Sequence, residues 1–118
     1  MASKRVLVVD DEAAIREVLQ QVLEIEGYSV QCAVNGSDGL SRLRNMPKPC
    51  AILLDLMMPI MNGWQFMESL GQDISLKGVP VIVITAFTDR TQPIQASKVL
   101  KKPIDVDYLL DTIKSCCG

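Results

Sequence analysis

Five residues in this sequence stand where apolar patterning gives no reason for them. Asp10 and Asp11 follow the apolar run Val6 to Val9, and Asp55 ends the run Ala51 to Leu54. Thr85 closes Val81-Ile-Val-Ile, and Lys102 follows Val99-Leu100-Lys101 directly before Pro103. Three carboxylates brought within a few ångströms cannot all stay ionised without a cation. A hard divalent ion with oxygen ligands is the economical solution, and Mg²⁺ suits one or two carboxylates, retained waters and phosphate oxygens. Lys102 beside such a cluster makes sense when further negative charge arrives. One lysine–phosphate contact near ~4 Å is worth about 4 kcal/mol at an effective dielectric of ~20. A carboxylate held beside a divalent ion and a lysine is a nucleophile toward phosphorus, giving an acyl phosphate. Positioning and charge neutralisation would supply most of that catalysis, with the Thr85 hydroxyl hydrogen-bonding a phosphate oxygen.

These residues meet only if the chain brings strand ends together. Arg5 to Val9 reads as a strand, and Ala14, Ile15, Val18, Leu19, Val22 and Leu23 then repeat at helical spacing. The acids before that helix suit its positive end, and Gly27 closes it. Tyr28 to Val34 predicts a second strand, with a turn at Asn35-Gly36 and a second helix capped by Ser37 and carrying Leu40, Leu43 and Met46. Ala51 to Leu54 reads as a strand buried on both faces. Asn62-Gly63 leads into a third helix with Trp64, Phe66, Met67 and Leu70, followed by a loop from Gly71 to Pro80. Val81 to Thr85 is almost wholly β-branched. Residues 86 to 96 pattern weakly, with Pro93 against a regular helix. Val99-Leu100 between lysines predicts an edge strand, and Ile104 to Cys116 a last amphipathic helix. Alternating strands and helices call for a parallel sheet with helices on both faces, which binds ligands beyond the carboxyl ends of its strands.

The 118 residues suit one domain, residues 1–118, with 48% apolar and 22% charged residues. A net charge of -2 and a pI near 5.0 give no basic footprint for nucleic acid. No apolar run reaches membrane-span length and no signal-peptide pattern opens the chain, so the expected location is cytoplasmic, with no membrane partner. The chain has no histidine, which removes the commonest general base and the Ser-His and Cys-His nucleophile pairs. Its cysteines, Cys32, Cys50, Cys116 and Cys117, form no CxxC pair, so zinc is not expected. Cys32 and Cys50 are expected as buried thiols, and Cys116 and Cys117 in a frayed tail.

Taken singly, each feature has a plainer reading. Asp10 and Asp11 can cap the first helix, Thr85 is a β-former and Lys102 a solvated edge charge. Trp64 suits packing at a helix start, and Met57, Met58 and Met61 suit adaptable loop packing. The functional case rests on the convergence of the set.

Together, Asp10-Asp11, Asp55 with Pro59 and Asn62-Gly63, Thr85-Ala86 and Lys102-Pro103 resemble the receiver domain of two-component response regulators, in order from Val6 to about Ile113. The resemblance implies a flavodoxin-like α/β fold: a doubly wound five-stranded parallel sheet of order 2-1-3-4-5. It implies phosphorylation of Asp55 from a phosphohistidine of a sensor histidine kinase or histidine phosphotransfer protein, and relay of that state to a downstream protein. Asp11 would bind Mg²⁺ directly, Asp10 partly through water, and the backbone carbonyl of Met57 would join Asp55 as a ligand. Thr85 would be the switch hydroxyl and Lys102 the phosphate-contacting lysine. In that sheet order Cys32 and Cys50 stand two strand spacings apart, nearly ~10 Å, too far for a disulfide.

The sequence departs from the family pattern in two places. Val99 stands where the family usually carries an aromatic residue, three positions before the lysine. The stretch from Thr85 to Lys102 is shorter than the family norm by about one helical turn, so the helix between the fourth and fifth strands is expected to be shortened or irregular. Switching is then expected as a change of loop order after Thr85. Met57 and Phe87, both apolar, would flank the acyl phosphate and slow its hydrolysis. Three rivals remain. A haloacid-dehalogenase-type phosphatase wants a second Asp where Met57 stands. A nucleotide-binding module wants a glycine-rich loop after the first strand. A receiver without chemistry, serving only for interaction, would explain Val99 and the short segment. No output domain is read in the chain, so transcriptional or enzymatic output is expected elsewhere.

Overall fold

A computed structural model describes residues 4–86 and 96–117. The strands are β1 (Arg5–Val9), β2 (Ser29–Ala33), β3 (Ala51–Leu54), β4 (Val81–Thr85) and β5 (Lys98–Lys101). They form one parallel sheet of order β2-β1-β3-β4-β5, the flavodoxin-like arrangement expected. Four α-helices lie among the described residues: α1 (Ala13–Ile25), α2 (Gly36–Arg44), α3 (Gly63–Gly71) and α4 (Val106–Cys117). The expected shortened helix between β4 and β5, with Phe87, falls mostly on 87–95 and so lies outside the described residues.

Strand alternation divides the core into two layers. Leu7, Val9, Ile52, Leu54, Val81 and Val83 face α2 and α3, where Leu43, Phe66 and Leu70 meet them. Val6, Val8, Leu53, Ile82 and Ile84 face α1 and α4, where Leu19, Leu23, Leu109 and Ile113 close the layer. The central strands β1, β3 and β4 are buried almost throughout, while β5 buries only Leu100, as an edge strand should. Val99 is 42% exposed.

Local details differ from the sequence expectations. Asn35, not Ser37, caps α2: its side chain accepts from the Asp38 amide at 2.9 Å. The helix therefore starts and ends early, and Met46 packs from the loop beyond it. Strand β2 begins at Ser29, and Tyr28 is buried beside it. Asn62 and Gln65 form a reciprocal capping box at the start of α3. The loop after α3 holds one 3-10 turn, Ile74–Leu76, which buries Leu76. Gly27 (φ 95°) supplies the left-handed residue after α1.

The cysteine expectations are corrected: Cys50 is not a thiol, neither Cys32 nor Cys50 is fully buried, and Cys116 and Cys117 lie in α4. Cys50 and Cys117 form a disulfide with Cα atoms 5.2 Å apart, while Cys32 and Cys116 are free and half-buried. Cys117 belongs to the last turn of α4 rather than to a frayed tail. The helix that follows β5 runs back along the sheet, so its end arrives beside the residue that precedes β3. Cys32 and Cys50 remain unpaired with each other, as sheet order requires.

Candidate functional site

The strand ladders extend one residue past β1 and β3. The Asp10 amide donates to the Ala33 carbonyl at 3.1 Å, and the Asp55 amide to the Val9 carbonyl at 2.9 Å. Register pairs Val9 with Leu54, so Asp10 and Asp55 emerge side by side at the carboxyl edge. On the other side, the Lys102 amide donates to the Thr85 carbonyl at 3.0 Å, carrying the ladder past β5. Thr85 is buried at the end of β4. The expected residues thus reach one edge because parallel strands share a direction.

Side chains then turn inward. Lys102 Nζ lies 3.4 Å from Asp10 Oδ2, 3.4 Å from Asp55 Oδ2 and 3.0 Å from Glu12 Oε1. Asp10 Oδ1 accepts from the Glu12 amide at 2.9 Å, and Asp55 Oδ1 from the Met57 amide at 3.3 Å. These bonds aim both carboxyl groups at the ammonium. Arg16, in the first turn of α1, reaches the backbone carbonyl of Asp10 at 2.7 Å rather than a carboxylate.

Asp10, Asp11, Glu12 and Asp55 each offer an oxygen, all within 4.8 Å of one another. Glu12 is the member that sequence reasoning misses. It directly follows Asp10-Asp11, and the third acid in a row is the available signal. Glu12 is also the N-cap residue of α1, without a side-chain cap bond. The plainer reading of Asp10 and Asp11 as helix caps therefore does not describe them. Met57 is exposed, whereas Met58 is buried and Met61 packs on the core, so two of the three methionines serve loop packing. Trp64 packs partly buried against the same layer.

Burial raises the pKa of Asp10; the bond from the Glu12 amide and the Lys102 charge offset it in part. Asp55 is raised by burial first and by the neighbouring Asp10 charge second, against the pull of Lys102. Burial alone would lower the pKa of Lys102, but hydrogen bonding to Glu12 and the charges of Asp10 and Asp55 outweigh it and raise the value. Four clustered carboxylates, three of them paired with one ammonium, leave room for a further cation, and an all-oxygen donor set is the chemistry of a hard divalent ion.

The floor of the site is tightly laced. The Gly63 amide donates to the Leu56 carbonyl at 2.9 Å, and the Gly36 amide to the Met61 carbonyl at 3.0 Å. A Cβ at Gly63 would come within 2.7 Å of the Leu56 Cα and 2.8 Å of the Asp55 carbonyl oxygen. The Asn62-Gly63 pair thus does more than turn the chain. It lets α3 start against the peptide that carries the carboxylate.

The response regulator receiver domain model matches residues 6–114. The chain is a member of this family. As a receiver domain it is a phosphoacceptor switch of two-component signalling rather than a turnover enzyme. The receiver is 34% identical to protein PilH of Pseudomonas aeruginosa over 116 residues, covering 94% of this chain and 95% of that one. It is also 34% identical to the transcriptional regulator RpaA of Synechocystis, covering 94% of this chain but 48% of that longer protein. Among solved structures, the chemotaxis protein CheY4 of Vibrio cholerae superposes with a TM-score of 0.87 at 28% identity, covering 98% and 99% of the two chains. The response regulator TrrA of Thermotoga maritima, solved in complex with Mg²⁺-BeF, gives a TM-score of 0.84 at 29% identity, covering 96% and 98%. No described helix of the receiver is long and apolar enough to cross a membrane.

Proposed function

We propose that Asp55 of this receiver accepts a phosphoryl group from the phosphohistidine of a sensor histidine kinase or histidine phosphotransfer protein. An Asp55 carboxylate oxygen forms the bond to phosphorus as the phosphorus–nitrogen bond of the donor breaks and the imidazole takes a proton. Lys102 stands beside Asp55 and contacts the arriving phosphoryl oxygens, and the Thr85 hydroxyl donates to another. Asp10, Asp11, Asp55 and the Met57 carbonyl would hold Mg²⁺, which when bound neutralises phosphoryl charge. Glu12 shares Lys102 in the resting state and releases part of that hold when the phosphoryl group competes for it. The observation that carries this reading is the single ammonium held by Asp10, Glu12 and Asp55 at one sheet edge.

The phosphorylated domain alters its contacts with a downstream protein, and the acyl phosphate is later hydrolysed on the domain itself. A cytoplasmic setting, where such donors work, and a single receiver over residues 1–118 belong to the same reading. Incubation with acetyl phosphate and Mg²⁺, followed by intact mass, tests it. The expected result is a gain of one phosphoryl group, lost in Asp55→Ala. No gain in the unaltered protein, or an equal gain in Asp55→Ala, overturns it. Steady turnover of external phosphoesters would instead identify a phosphatase.

A further inference from the structure

The receiver carries a second chemically competent site at the opposite edge of the sheet. Cys50 immediately precedes β3, whose other end delivers Asp55, so the two sites stand roughly 17 Å apart at ~3.3 Å per strand residue. Cys117 reaches Cys50 from the last turn of α4 across a sequence separation of 67, and Cys116 beside it keeps a free thiol. We propose that Cys50 and Cys117 form a reversible dithiol–disulfide couple, exchanging electrons with thiols and disulfides of the glutathione type.

Three features favour a working couple over a fixed structural staple. First, the bond lies at the margin of the core: Cys50 and Cys117 are partly buried and pack against the α1/α4 layer without belonging to its fully buried set. The buried residues of α4 are Leu109, Thr112 and Ile113, all before its last turn. Opening the disulfide therefore leaves the helix anchored, and only its end needs to move, where helices fray. Second, both partners are half-buried rather than enclosed, so an attacking thiolate has access. Third, the reduced form is already accommodated. Cys50 Sγ lies 3.2 Å from the Arg5 carbonyl oxygen, an acceptor for the thiol hydrogen, and the fold keeps the two cysteines adjacent for reoxidation. In the reducing compartment that the proposed function implies, disulfides that do form are usually redox-reactive.

The exchange balances as two successive displacements. A glutathione thiolate attacks one sulfur, the protein S–S bond breaks, and the departing cysteine takes a proton. A second glutathione thiolate attacks the mixed disulfide, releasing the second cysteine and glutathione disulfide. Two electrons enter the protein, and oxidation by glutathione disulfide runs the same steps in reverse. The visible consequence is a latch on α4: closed, it pins the helix end to the floor of β3; open, it frees that turn.

Native protein equilibrated across glutathione/glutathione disulfide ratios, then alkylated and weighed, tests the couple without reference to Asp55. The expected result is four alkylated cysteines in the reducing limit and two, Cys32 and Cys116, in the oxidising limit. The transition should run in both directions and persist in Cys116→Ser but vanish in Cys50→Ser. Amide exchange in the last turn of α4 should quicken at least several-fold on reduction. The proposal is overturned if reduced glutathione leaves the bond intact in the folded protein. It is equally overturned if oxidation yields no Cys50–Cys117 pair, or if exchange in the last turn is the same in both states.

Discussion

In the metal-free domain, Asp10→Asn and Lys102→Met should move stability in opposite directions. Asp10 is attracted to Lys102 at 3.4 Å, worth about 5 kcal/mol at an effective dielectric of ~20. Burial opposes its charge most, and the exposed Glu12 carboxylate, with an oxygen within 4.8 Å, adds a smaller, solvent-screened repulsion. Together, burial and the Glu12 charge outweigh the pull of Lys102, which is why the Asp10 carboxyl is raised. In Asp10→Asn the side-chain carbonyl oxygen would still accept from the Glu12 amide, and Lys102 would keep Glu12 and Asp55. After discounting for solvent at the mouth of the site, Asp10→Asn should gain about 1 kcal/mol. Lys102→Met strands buried Asp10 and Asp55 without a cation and should cost about 2 kcal/mol, below the figure for a fully enclosed pair. An unfolding entropy of about 2.1 cal/mol/K per residue gives about 0.25 kcal/mol/K for 118 residues. The expected shifts are therefore roughly 4 °C up and 8 °C down. Thermal denaturation followed by circular dichroism in EDTA, without reductant, reads both. Adding Mg²⁺ at about a hundredfold its Kd should raise the unaltered protein by about 2.7 kcal/mol, near 11 °C, and Asp10→Asn by less than half of that. A fall in Asp10→Asn in EDTA, or a full Mg²⁺ shift in that variant, would refute the electrostatic reasoning.

The pH dependence of the metal-free protein follows from the same cluster. Asp10 and Asp55 have folded-state pKa values raised above 3.8. Between 3.8 and the folded values the native state holds more protons than the unfolded one, so stability falls as pH rises through that window and levels off above it. Urea titrations in EDTA should show the decline, and Asp10→Asn should shrink it; a rise with pH would contradict the assignment. Gly63→Ala should cost about 2–4 kcal/mol, because the new methyl meets the Leu56 side chain and also backbone at Leu56 and Asp55 that cannot swing aside. Chemical denaturation measures this cost, and a change under about 0.5 kcal/mol would show that the acceptor loop yields easily. Met57→Asn should speed loss of the acyl phosphate about tenfold, followed by mass after removal of donor, because an amide can orient the attacking water where the thioether excludes it. An unchanged rate would remove Met57 from that role.

Much of the site was legible because β-strand grammar is local. An apolar run that stops at a carboxylate, repeated along an alternating pattern, places Asp10, Asp55, Thr85 and Lys102 at one edge before any contact is known. Glu12 is harder to read. An acid at a helix start has a sufficient local explanation, and only the position of Lys102 Nζ at 3.0 Å shows what Glu12 holds. The choice between Ser37 and Asn35 as a cap is hidden for a similar reason. Both residue types can cap, and the outcome depends on where the chain bends to let Gly36 meet Met61.

By itself, the sequence determined the order of elements, a parallel sheet with helices on both faces, and the set of residues at the carboxyl edge, while the strand order came through the family resemblance. Tertiary structure decided the distances within that set and the partner of Cys50. Periodicity reports which face of an element is buried, but not where the far end of a helix comes to rest. Cys117 meets Cys50 only because α4 returns the length of the sheet, and nothing local to either cysteine encodes that encounter.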